Sequence, residues 1–328
     1  MTITPESAAP DTLGGIGEVA VLARIFPRLP AAASALLGPG DDCAVVSAPD
    51  GRFAVTTDLM IHGPDFRLAW STPHDLGWKA AASNLADVAA MGAVPTALVV
   101  AIAAPADSPV SLLEGIADGL RDACEALASG CGVVGGDLSV SATLMIAVTA
   151  FGDLEGRAPV LRSGASTGDI VAVAGVLGEA AAALRLLFTD AIDGSGRPDA
   201  ALATALRAHT APQLAPTPPI GAGRAAALAG ATAMLDLSDG LAIDSARLAR
   251  ASGVGIDFAS AALGHDAALA LAGGEDHSLL ATFRPGMALP SGFRRIGVCI
   301  EGDGLTVDGL PHDSAGWDPY RDWAGSAD

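Results

Sequence analysis

Residues 79–93 read KAAASNLADVAAMGA, and VPTALVVAIAA follows at 94–104. The first stretch has helical period. Lys79, Ser83 and Asp87 fall at i, i+4 and i+8, Asn84 stands three residues before Asp87, and alanine, leucine and valine fill the other face. The helix is predicted over 76–91, with Asp75 as its cap and Gly92 as its stop. Residues 97–103 then read as a buried strand. A solvated face is the ordinary explanation of such a polar stripe. Against it, Lys79 is the only lysine in the chain, and all other basic residues among the 18 Lys and Arg are arginine.

Outward from this helix the same alternation continues. Apolar, β-branched runs at 43–46, 53–57, 133–134, 144–151, 170–174, 231–237, 255–258, 278–283 and 295–300 are expected to be strands. Segments 18–26 (closed by Pro27), 112–127, 179–188, 202–209, 224–229 and 241–251 have helical character, and 212–219 is a Pro-rich loop. Residues 152–166 are turn-rich and mark a domain junction. The expected organisation is therefore α/β (α+β) with mixed sheets, an N-terminal domain over 1–155 and a C-terminal domain over 156–328.

Composition narrows the function. The 328 residues are 51% apolar and 4% aromatic, with a formal net charge of −19. Nothing on such a chain offsets phosphate repulsion, which argues against nucleic acid or an anionic membrane as partner. Small anionic substrates remain possible where metal ions bridge them. Cys43, Cys124, Cys131 and Cys299 form no CxxC pair and no zinc spacing, which fits reduced thiols and a cytoplasmic location. Residues 1–12 lack a basic n-region, and the apolar stretch 88–105 is broken by Gly92 and Pro95, so neither a signal peptide nor a membrane span is expected. Residues 1–12 and 325–328 are expected to be disordered.

Five short acidic motifs carry the chemistry: Gly40-Asp41-Asp42, Thr56-Thr57-Asp58, Gly135-Gly136-Asp137, Asp236-Leu237-Ser238-Asp239 and Gly273-Gly274-Glu275-Asp276. Most end or follow an apolar run such as 53–55 or 233–235, where a carboxylate is expected to point into a cleft. Converging carboxylates make a hard-oxygen site suited to Mg²⁺ and phosphates. Each motif alone has a plainer reading. Gly-Asp-Asp and Gly-Gly-Asp are common turns, Asp239 can be a helix N-cap, and Arg162 before Ser163-Gly164 is either a surface arginine or a phosphate fork. No Cys/His pair, no Walker A and no GxGxxG turn is present, and nothing supports a nucleophilic enzyme.

Taken together and in order, GPGDDCAVV (38–46), TTDLM (56–60), KAAASNLADVAAMGA (79–93), VGGDLS (134–139), GRAPVLRSGA (156–165), LDLSDGL (235–241), GGEDH (273–277) and AGWDPY (315–320) resemble the thiamine-monophosphate kinases of the aminoimidazole-ribotide-synthetase superfamily. The resemblance runs from about Gly17 to the end. It implies an N-terminal domain that dimerises through a β-barrel, a C-terminal α/β domain, and ATP and substrate between them. The implied reaction is Mg²⁺-assisted transfer of the ATP γ-phosphoryl to thiamine monophosphate, in a homodimer. By position, the resemblance implies Asp42, Asp58, Asp87, Asp137, Asp236 and Asp239 as metal ligands, with Thr56 and Thr57 assisting. Asp87, Asp137 and Asp236 are the expected catalytic set. Gly136, Asp137, Arg162 and Ser238 would contact ATP, and Asp65, Glu275 and Trp317 the substrate.

The chain departs from the family pattern on the substrate side. Gly63-Pro64-Asp65-Phe66 places Asp65 where the family has histidine, the stretch before Gly273 is about a dozen residues short, and Asp318-Pro319-Tyr320 replaces Asp-His-Phe. The alternatives are another ATP-using member of the superfamily and a nucleotide-binding paralogue without catalysis. Selenophosphate synthetase would want a reactive N-terminal cysteine, and a hydrogenase-maturation relative a C-terminal one. The chain has neither.

Overall fold

The computed structural model describes residues 11–37 and 44–314. The first acidic motif with Asp42, the segment carrying Trp317, and the disorder expected at 1–10 and 325–328 lie outside the described residues. Asp11 and Thr12 are ordered. Thr12 caps α1 (Leu13–Ile16) and Asp11 pairs with Arg24 on α2 (Glu18–Ile25) at 2.5 Å.

The N-terminal half continues with β1 (Ala35–Leu37), β2 (Val45–Val46), β3 (Ala54–Ile61), α3 (Pro73–Ala90), β4 (Val94–Ala104), α4 (Val110–Leu127), β5 (Gly132–Val140) and β6 (Met145–Asp153). The last four-strand set forms one sheet of order β3-β6-β4-β5, antiparallel except for the parallel β4–β5 pair. The sheet is open, with β3 and β5 as edges, and no closed barrel is present among the described residues. One face packs under α3. The other exposes Val55, Leu59 and Val140, with Phe53 beside them.

The C-terminal half contains β7 (Ile170–Ala174), α5 (Glu179–Asp190), α6 (Ala200–Ala205), α7 (Arg207–Leu214), α8 (Ile220–Leu228), β8 (Ala233–Asp236), α9 (Leu241–Ser252), β9 (Gly255–Phe258), α10 (Ala267–Ala272), β10 (Leu279–Phe283), β11 (Phe293–Ile300), β12 (Leu305–Val307) and β13 (Leu310–His312). Its seven strands order as β13-β12-β9-β11-β7-β10-β8, with only β12–β9 parallel. The architecture is mixed α/β, as expected, and no helix among the described residues is long and apolar enough to cross a membrane.

Helix α3 is the pivot. It touches β3, β4 and β6 on one side, and α4, α7, α8 and β8 on others. Its small side chains make this possible, since Ala80, Ala81, Ala82, Ala86 and Ala89 are all essentially inaccessible. One hydrophobic core runs from Leu85 and Val148 through α3 to Met234, Ala281 and Phe283, so the two halves share their interior. Burial at this density supplies most of the favourable free energy of folding.

Several expectations change in detail. The cap of α3 is Thr72, not Asp75, because Pro73 fits the first helical position. Asp75 completes the capping box by accepting from Thr72 N at 2.8 Å. The helix expected at 202–209 is two helices, and Pro212 lies inside α7 rather than opening a loop. Asp75 also takes a bidentate pair from Arg207, which holds α7 on α3. Gly135-Gly136-Asp137 is not a turn but the middle of β5. A Cβ at Gly136 would lie 2.0 Å from the Val100 carbonyl oxygen, so glycine is required by strand packing.

Candidate active site

The helix stripe is not a solvated face. Lys79, Ser83 and Asn84 are all buried. Asn84 ties α3 to β3: its Nδ2 donates to Ala80 O at 2.9 Å and its Oδ1 accepts from Asp58 N at 3.1 Å. This sets Asp58 beside Asp87, and Thr56 donates its hydroxyl to Asp87 Oδ2 at 2.7 Å. Thr56-Thr57-Asp58 therefore lies within a strand rather than at its end, and alternation sends Thr56 and Asp58 toward α3. Thr57 faces away, donating to Val148 O at 3.0 Å and accepting from Thr149.

Asp236 ends β8 and joins this group from the other half. Burial pushes the Asp87 carboxyl up to about 7, with the charges of Asp236 and then Asp58 adding to it. Burial likewise raises Asp58. Nearby His277 and Ser83 oppose the rise, while Asp236 and Asp239 reinforce it. Such like-charge crowding is costly unless a cation shares the site. His277 Nδ1 lies 3.3 Å from Asp236 Oδ2. Burial disfavours the imidazolium, but the bond and charge of Asp236 outweigh it, and the ring is held above its ordinary value.

Asp239 is set differently. The N-cap position of α9 belongs to Gly240, and Asp239 pairs with Arg247 at 2.6 Å. Arg247 also bridges to Asp244, whose carboxyl burial pushes up to about 6. The backbone of Ser238 meets the Gly273-Gly274-Glu275 loop, with Glu275 N donating to Ser238 O at 2.8 Å. A Cβ on Gly274 would lie 2.6 Å from that oxygen, which explains the glycine. Glu275 and His277 both adopt left-handed φ, 67° and 49°, a conformation that costs free energy and clusters at functional loops. Between them Asp276 turns inward and caps α5, accepting from Gly178 N and Ala180 N.

Beside the acidic group stands a second node. Lys79 Nζ lies 2.8 Å from Glu275 Oε1, and Gln213 on α7 donates Nε2 to Glu275 Oε2. Burial alone would raise Glu275, but Lys79 and Gln213 hold it below the usual range. Asp65 faces this pair electrostatically. Its carboxylate is engaged by Ile61 N at 2.7 Å, closing the 61–66 turn, and burial raises it.

The structure thus brings together Thr56, Asp58, Asp87 and Asp236, with Asp239 near and Glu275 and Asp65 on the adjoining side. It does not bring Asp137 to them within one chain. β5 and β3 are opposite edges, separated by two strands or roughly 14 Å. Gly136 and Asp137 instead line a cavity of ≈ 190 Å³ with Phe26 and Leu120. Arg162 is exposed in the loop whose Leu161 carbonyl accepts from Met234 N. Gln213, Asp244 and Arg247 carry no local signal and were not among the expected site residues. Among the described residues no group of three or more His, Cys, Asp or Glu side chains is arranged to hold a metal ion by itself.

A family model described as AIR synthase related protein, N-terminal domain, matches residues 40–154. The thiamine-monophosphate kinase of Mycobacterium tuberculosis (strain CDC 1551 / Oshkosh) is 44% identical over 341 residues, covering 98% of this chain and 96% of that protein. The chain belongs to the thiamine-monophosphate kinase family. Solved members of this family share its architecture. The thiamine-monophosphate kinase of Stenotrophomonas maltophilia K279a is 30% identical, with a TM-score of 0.73 and coverage of 90% of this chain and 96% of that one. A structure of AaThiL complexed with AMPPCP and TMP is 31% identical, with a TM-score of 0.69 and coverage of 93% and 96%.

Proposed function

We propose that this chain phosphorylates thiamine monophosphate with ATP, giving thiamine diphosphate and ADP. The observation that carries the reading is the meeting of Asp58, Asp87 and Asp236 from both halves of the chain, beside the Lys79–Glu275–Gln213 node. An acceptor phosphate oxygen forms a bond to the γ-phosphorus as the bond from that phosphorus to the β,γ-bridging oxygen breaks, and ADP leaves. Such transfer needs positioning and charge stabilisation rather than a covalent catalyst.

The donor set fits Mg²⁺: hard carboxylate oxygens, crowded by like charge and helped by the Thr56 hydroxyl. Mg²⁺ commonly binds through one or two carboxylates plus water and substrate phosphates, so a pre-formed all-protein cage is not needed. When bound, it neutralises the phosphates of both substrates. Asp87, Asp236 and Asp58 would hold it, with Asp239 and Asp42 as further oxygen donors, whereas Thr57 faces the other side of the sheet and Asp137 could take part only from beyond this chain's own acidic group. Ser238, Gly136 and Arg162 would contact ATP. Glu275, Asp65 and Trp317 would face the thiamine part.

The apolar outer face of the β3-β6-β4-β5 sheet suits a second copy. Two such faces in a two-fold dimer would bury Val55, Leu59 and Val140 and bring the open edges toward a barrel. Asp137 sits on the same strand face as exposed Ala101, its register partner, and would enter that shared region. The domain division near 155 and a cytoplasmic location complete the reading.

The test is ADP release with Mg·ATP and thiamine monophosphate, with thiamine and no acceptor as controls. Release that depends on thiamine monophosphate supports the reading. Nucleotide binding without acceptor-dependent release overturns it.

A further inference from the structure

The Lys79–Glu275–Gln213 node contains one group that none of the site's internal contacts uses. Gln213 is 4% exposed, on α7 next to Leu214, a member of the small apolar cluster with Trp70 and Leu187. Its Nε2 donates to Glu275 Oε2, while its Oε1 makes no hydrogen bond among the described residues. The orientation of the amide is fixed by chemistry. Glu275 is held ionised by Lys79 and Gln213, so it only accepts, and the amide must turn its NH₂ toward it. The carbonyl oxygen is then left facing elsewhere, buried and unpaired, which is unfavourable until a donor reaches it.

The node is rigidly built. Asp75 and Lys79 lie one turn apart on α3, and Arg207 and Gln213 lie six residues, about 1.7 turns, apart on α7. Arg207 pairs with Asp75 as Gln213 and Lys79 share Glu275, so two rungs join the helices. Glu275 is clamped to the Asp236 segment through Ser238 O. From Lys79 to Asp87 the helix rises over eight residues, roughly 12 Å. That span suits the separation of phosphate and pyrimidine ring in an extended thiamine monophosphate.

We propose that Gln213 is a specificity-determining residue for the acceptor, its Oε1 accepting a hydrogen bond from the exocyclic amino group of the pyrimidine. Glu275 and Lys79 position the amide for this contact. The inference rests on thiamine monophosphate being the acceptor. A buried acceptor oxygen rejects an analogue that cannot donate, because the oxygen is then left unpaired.

Steady-state kinetics with thiamine monophosphate and with oxythiamine monophosphate, whose amino group is replaced by oxygen, tests it. Wild type is expected to favour thiamine monophosphate by at least about tenfold in kcat/KM. Gln213→Leu should bring that ratio toward one by raising the KM for thiamine monophosphate more than it lowers kcat, with the KM for Mg·ATP unchanged. Should Gln213→Leu fold poorly by thermal melting, Gln213→Met keeps the chain length and carries the same comparison. A wild-type ratio retained in the variants overturns the role of Gln213 alone. No acceptor-dependent ADP release by wild type overturns the functional reading, and this inference with it.

Discussion

The two ends of the polar stripe on α3 are opposites. At the Asp87 end, carboxylates from β3, α3 and β8 crowd one another and the Asp87 carboxyl is pushed up to about 7. At the Lys79 end, a buried cation meets a carboxylate at 2.8 Å and an amide completes the group. One region is electrostatically incomplete without a cation, whereas the other is almost complete within the chain. A cation bound at the acidic end would therefore add stability there. The paired end is pre-organised, which suits recognition, since little need reorganise on binding.

The largest effect should come from breaking the acidic end. Asp87→Asn and Asp236→Asn are each expected to lower kcat by about 10²-fold or more, the scale of losing a group that supports charge in the transition state. Near-normal rates at saturating Mg·ATP would remove these residues from the chemistry. The next effect concerns assembly. Leu59→Asp, on the exposed sheet face, should convert a dimer to monomers in light scattering. A wild-type protein that is monomeric at the same concentration would refute the pairing.

A third expectation separates the ends by pH. Asp87 and Asp244, about 7 and about 6 in the folded chain, lie above the ordinary carboxylate range. A raised carboxyl keeps its proton in the folded state longer than in the unfolded one. Its stabilising contribution is full below the ordinary value and is lost as pH rises. Metal-free protein should therefore lose stability between about pH 4 and pH 7 in denaturant titrations. Glu275 has the opposite sign. Its lowered value gives stability that is present at neutral pH and lost as the medium becomes acid.

The smallest expected effect lies at the paired end. Glu275 is 35% exposed, so solvent screens its pair with Lys79. Lys79→Met should cost about 1 kcal/mol in chemical unfolding, while raising the KM for thiamine monophosphate. A stability loss with unchanged kinetics would make Lys79 purely structural.

Much of this was legible in the sequence where local pattern and long-range packing agree. β7 and β9 begin and end where their apolar runs do. The singular lysine and Asp87, two turns apart on one face, already marked α3. Legibility failed where a distant partner decides the local structure. Pro212 signals a loop, but it lies inside α7, which the Asp75–Arg207 pair, 132 residues apart in sequence, docks on α3. Gly135-Gly136 signals a turn, yet the approach of Val100 O requires glycine in a strand. Asp65 carries no local sign of its partner, and the Ile61 amide that engages it is visible only in the folded turn. Asp276 shares a motif with Glu275 and turns out to cap a helix almost a hundred residues away.

The difference between the two ends is tested most directly by melting temperatures of wild type and Asp87→Asn at pH 8, with and without Mg²⁺. Removing one crowded charge should make metal-free Asp87→Asn melt higher than metal-free wild type. Mg²⁺ should then raise wild type by mass action and raise the variant less. A variant that melts lower without metal, yet gains as much from Mg²⁺ as wild type does, would contradict the account.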